Sequence, residues 1–80
     1  MQTIYFIYEQ DNQASKQSIV IKLATTRKKQ ALDFFETFKE EYTTTSGFNL
    51  VVSYYDGDLE SANSESNLLN ELIVIEQTEN

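Results

Sequence analysis

Four carboxylates between positions 56 and 65, Asp56, Asp58, Glu60 and Glu65, are the densest group of chemically capable side chains in this sequence, and Glu40 and Glu41 precede them with the same sign. Oxygen ligands at close spacing suit a hard cation such as calcium. An EF-hand loop, however, needs a glycine at its sixth position and a bidentate glutamate at its twelfth, and Gly57 and Glu65 do not stand in that relation. Neither a metal nor a cofactor is expected. The chemistry left to such a row is electrostatic: spaced carboxylates stand in for phosphates and occupy a basic cleft on a partner protein, the strategy of nucleic-acid mimicry.

Arg27, Lys28 and Lys29 form the one basic run. With a helix N-terminus they make a candidate anion site. Consecutive helical residues fan out by about 100°, so three in a row do not build one basic face, and direct binding of nucleic acid is not expected.

Catalysis is not expected either. The chain has no histidine and no cysteine, which leaves carboxylate, lysine or tyrosine as general base, and no nucleophile and base stand at a recognisable spacing. Disulfides and zinc sites built on thiolate or imidazole are excluded. With Gly47 and Gly57 the only glycines, neither a phosphate-binding loop nor a dinucleotide fingerprint can be written.

The formal charge of −7 is unevenly spread. All six basic residues lie at or before Lys39, whereas residues 40 to 80 carry nine acids and no base. Such a surface disfavours nucleic acid and anionic membrane and suits a basic protein partner or plain solubility. The start, MQTIYFIYEQDNQ, lacks a basic n-region with a small-residue cleavage site, and no run of about 18 apolar residues occurs. These features lead to the expectation of a cytoplasmic location.

The elements that must position these groups follow from hydrophobic periodicity. Residues 26 to 45 carry the one sustained helical rhythm, with Ala31, Phe35, Phe38 and Tyr42 on one stripe, Leu32 beside it, Thr25 or Thr26 as cap, and an end at the threonine run before Gly47. TIYFIY (3 to 8) is a strand with two apolar faces, followed by a polar loop over 9 to 17. SIVIKLAT (18 to 25) is a second strand, with Ile19, Ile21 and Leu23 on one side. FNLVVSYY (48 to 55) is a third strand, and Asp56-Gly57 reads as a turn dipeptide. Residues 56 to 67 read either as a solvated loop or as the approach to a short helix capped by Ser64 and running to Leu72. A last strand is expected over about 71 to 77.

The sum is one α+β domain over residues 1 to 80, an approximately four-stranded, mainly antiparallel sheet of order β-β-α-β-β with the helix on one face. Five tyrosines and five phenylalanines are many for so short a chain. Tyr5, Tyr54 and Tyr55 are candidate interface aromatics. Tyr5, Ile7, Val51 and Tyr55 are expected on the sheet face away from the helix, where an exposed patch would call for a partner or a second copy.

The function expected from these features is a non-catalytic, acidic protein-binding module. Its sharpest form is a phage or mobile-element inhibitor that imitates nucleic acid and occupies a basic site on a nucleic-acid-handling protein. Two alternatives stay open: a self-associating structural module, a homodimer through the open sheet face, and a small anion-binding domain at Arg27, Lys28 and Lys29.

Overall fold

β1 (Gln2–Asp11) and β3 (Phe48–Gly57) are ten-residue strands rich in β-branched and aromatic residues. In a computed structural model, which describes residues 2–11, 18–57 and 71–79, they pair antiparallel along their whole length, from Gln2 opposite Gly57 to Asp11 opposite Phe48. They form the centre of a four-stranded antiparallel sheet of order β2-β1-β3-β4, with β2 (Ser18–Thr25) and β4 (Ile73–Gln77) at the edges. The helix α1 (Lys28–Thr44) lies across β3, β1 and β2. This is the α+β fold of β-β-α-β-β order that periodicity predicts.

β3 runs past its expected end, because Asp56 and Gly57 continue the ladder opposite Thr3 and Gln2 instead of turning. The glycine serves packing rather than a turn. The side chain of Tyr55 folds across it so closely that a Cβ at position 57 would stand 2.5–2.7 Å from its hydroxyl oxygen and two of its ring carbons.

Two buried clusters sandwich the sheet. Under α1, Ala31 and Phe35 pack on Ile7, Leu50 and Val52, joined at the margin by Tyr5, Leu23, Leu32, Phe34 and Tyr42. On the opposite face Ile4, Phe6, Tyr8, Val51 and Tyr55 are buried together, with Ile19 and Leu72 against them. The expected assignment of Tyr5 and Ile7 to that second face is therefore corrected. TIYFIY is apolar on both sides, so its alternation defines two faces without saying which one meets the helix. Nor is the second face open, since all five of its cluster residues are buried within the single chain. Its one described polar core pair is satisfied: the Ser53 hydroxyl donates to the Tyr8 hydroxyl at 3.0 Å.

β2 departs from strict alternation. Its register against β1 shifts between Ile7 and Tyr8, so that Leu23 opposes Ile7 while Ile21 opposes Tyr8. The extra residue is Lys22. This bulge sends Leu23 to the helix side and Ile19 to the other, splitting a set that the sequence pattern places on one face.

Arg27, in extended conformation, occupies the helix N-cap position without a side-chain cap bond. Thr25 acts from two residues upstream: its hydroxyl accepts the Arg27 N–H at 3.1 Å and donates to Gln30 Oε1 at 2.7 Å. At the other end the hydroxyls of Thr43, Thr44 and Thr45 donate back to the carbonyls of Lys39 and Glu41, at 2.9, 3.0 and 2.7 Å. Gly47 then reverses the chain at a φ of 85°.

Candidate functional site

The helix packs mainly on three strands of a four-stranded sheet, and β4 lies beside it rather than beneath it. β4 is held at its end by Thr78, whose N–H donates to the Leu50 carbonyl and whose hydroxyl accepts the Leu50 N–H, both at 2.9 Å. Its apolar residues do not reach either core. Ile73, Val74 and Ile75 are 52%, 49% and 38% exposed. Three consecutive apolar side chains on an edge strand are unusual, because edges are ordinarily blunted by charge, proline or distortion. Here the blunting is partial: a register shift between Val52 and Ser53 bulges the strand, and Glu76 follows.

Beside β4, on the helix side, lies an open groove of about 500 Å³. Tyr5 and Tyr54 line it, directly opposed across β1 and β3 with ring centroids 6.5 Å apart and planes tilted by 47°. Val74 and Ile75 also border the groove, as do Lys28 from α1 and Asp56 from the end of β3. Asp56 accepts a hydrogen bond from the Thr3 hydroxyl, which orients its carboxylate. The groove thus combines a half-buried aromatic lining and an aliphatic wall with one cation and one anion at its rim.

The structure separates the candidate interface tyrosines. Tyr5 and Tyr54 meet in the groove, while Tyr55 points through the sheet into the opposite core. Adjacent strand residues face opposite sides, which makes this separation unavoidable. The basic triplet is divided as well. Lys28 borders the β4 groove, whereas Arg27 and Lys29 border a second depression with Gln30 and the carboxylate of Asp33.

The described acidic candidates are spread rather than gathered. Glu40 and Glu41 are exposed near the C-terminal end of α1, and Asp56 shares its groove with Lys28 at the N-terminal end. Twelve residues of helix, about 18 Å, lie between these positions. Asp58, Glu60 and Glu65 lie outside the described residues, as does most of the stretch from 56 to 72 expected to be a loop or the approach to a helix capped by Ser64.

Two charged clusters sit along the helix. Lys39 donates to Glu36 at 2.8 Å. That hydrogen bond and the Glu36 charge hold the ammonium above its ordinary pKa, with Glu76 of β4 and Glu40 adding to the effect. Elsewhere Lys22 approaches Glu9 at 3.3 Å, and the Tyr42 hydroxyl donates to the same carboxylate at 3.4 Å. Partial burial and the Glu9 charge raise the Tyr42 phenol above its ordinary value. Both clusters are structural pairings. Among the described residues no group of three or more acidic, histidine or cysteine side chains is placed to hold a metal ion, and no helix is long and apolar enough to cross a membrane.

Comparison of the chain with protein families, with curated proteins and with solved structures gives no match. Sequence reasoning placed a last strand over about 71 to 77 without assigning its exposure, and so missed the exposed aliphatic run. A signal was nonetheless present: the run is short, it is the last strand in the chain, and Glu71, Glu76 and Glu79 surround it.

Proposed function

We propose that this protein is a non-catalytic binding module whose partner is a basic protein, met through the acidic half of the chain. The observation that carries this reading is the setting of Ile73, Val74 and Ile75. They are exposed aliphatic residues on an edge strand, within a half-chain of nine acids and no base. Apolar area supplies affinity, while the surrounding carboxylates steer and select a positively charged partner and disfavour other surfaces. The sharpest version is an inhibitor that competes with nucleic acid for its partner's basic site.

Affinity capture from a lysate of the source cell, washed at low and high salt, tests the reading. A parallel capture uses a variant with Asp56→Asn, Asp58→Asn, Glu60→Gln and Glu65→Gln combined. A basic protein is expected on the native bait at low salt, released at high salt because exposed charge contacts are screened over about 10 Å at 0.1 M. It is expected to be absent from the neutralised bait, whose circular dichroism is unchanged. Equal capture by both baits overturns the electrostatic reading. For the nucleic-acid-mimic version, added DNA should displace the bait from its partner.

A further inference from the structure

We infer that β4 is a docking edge for an extended, basic segment of the partner, which adds to the sheet as a fifth strand. This rests on the binding-module reading and specifies its geometry. The sheet order leaves β4 with β3 on one side and no described strand on the other. The direction of its backbone groups follows from one hydrogen bond. The Thr78 N–H points inward to the Leu50 carbonyl, in the same register that pairs Gln77 with Val51 and Glu76 with Val52. Backbone groups of successive strand residues alternate in direction, so the N–H and carbonyl of Gln77 point outward from the sheet. They offer an incoming strand a donor and an acceptor.

Charge selects the occupant. A second copy paired through β4 about a two-fold axis would bring Glu71, Glu76 and Glu79 of each chain to one seam, six carboxylates against which Lys39 of each chain, already paired with Glu36, sets one cation near Glu76. Like charges opposed across strands destabilise the pairing. A segment alternating basic with aliphatic residues reverses that term. Its aliphatic side chains extend the surface of Ile73, Val74 and Ile75, and its cations meet the glutamates. Both edge strands carry a bulge, at Lys22 in β2 and at Ile75 in β4, so charge is what separates them: β2 bears a lysine and no acid, β4 a glutamate and no base.

The test uses the full chain and a short acetylated, amidated peptide alternating arginine with valine. Two comparison peptides carry glutamate for arginine, or proline at the central valines. Binding is read by titration calorimetry and by hydrogen exchange of the Gln77 amide. The arginine–valine peptide is expected to bind, to weaken at high salt, and to slow Gln77 exchange at least tenfold. Gln77→Pro removes the outward donor at an edge position that tolerates proline, and is expected to weaken binding at least tenfold. If that variant fails to fold, the exchange measurement on the native chain decides.

Equal binding of the proline-interrupted peptide, with Gln77 unprotected, overturns strand addition while the acidic-surface reading survives. Equal binding of the glutamate peptide overturns both. Concentration-dependent dimerisation of the protein alone, with Gln77 already protected, overturns the basic segment in favour of a second copy.

Discussion

Phe35 and Phe38 are indistinguishable in the sequence pattern, each an aromatic residue on the apolar stripe of one helix, yet the structure makes them unequal. Phe35 is 2% exposed and enclosed with Ala31, Ile7, Leu50 and Val52. Phe38 is 36% exposed and has Phe34 as its ring partner at 4.7 Å. Truncating an enclosed phenylalanine loses the transfer energy of the ring and leaves a cavity that the surroundings only partly close, in all about 3–5 kcal/mol. At Phe38 a third of the side chain is already wet and solvent can enter the space left behind, so no closed cavity forms. The expected loss there is about 1–2 kcal/mol, including the ring pair. The helix-propensity gain from alanine is common to both substitutions and cancels.

A domain of this length has a total stability of about 4–12 kcal/mol. Phe35→Ala therefore removes about a quarter of it or more. Urea denaturation followed by circular dichroism measures both variants, and at an m of about 1 kcal/mol/M the midpoints should fall by about 4 M and about 1–2 M. Equal shifts, or a larger one for Phe38→Ala, would refute the assignment of the core beneath the helix.

Tyr55→Glu should abolish folding rather than yield a soluble monomer, because a carboxylate would replace a ring that is only 7% exposed in the second core. A folded variant with native circular dichroism would sink the two-core description. At alkaline pH the raised pKa values of Tyr42 and Lys39 mean that the folded chain holds both protons more tightly than the unfolded chain. Their contributions are complete below about pH 10, the unfolded tyrosine value, and are lost as pH rises through the raised folded values. Melting curves should show stability falling above about pH 10, less steeply for Tyr42→Phe; an unchanged slope in that variant would remove Tyr42 from the account.

Element order was legible in the chain because it depends on local periodicity. The 3.6-residue rhythm of α1 and the two-residue alternation of β1 and β3 each outlast the uncertainty at their ends, and the antiparallel pairing of β1 with β2 follows from a short connection. The exclusions also needed no coordinates, since the absence of histidine and cysteine removes whole chemistries wherever the chain goes. The separation of Tyr54 from Tyr55 was equally available, because adjacent strand residues must face apart.

Other features depended on partners distant in sequence. β1 is apolar on both faces, so only packing chose Ile7 for the helix side and Phe6 for the other. The β2 bulge at Lys22 is a matter of register between two strands and leaves no mark in the alternation of either. Gly57 reads as a turn residue until the ring of Tyr55 is laid across it.

The candidate site shows the same division. The sequence by itself determined that the second half of the chain is acidic and that Tyr5 and Tyr54 were available as interface aromatics. Only the tertiary structure decided that these two rings meet, that Lys28 is the member of the basic triplet that borders their groove, and that IVI lies on an exposed edge. The physical reason is coverage: composition fixes how much apolar surface a chain carries, but which part of it stays wet depends on where one helix comes to rest over four strands.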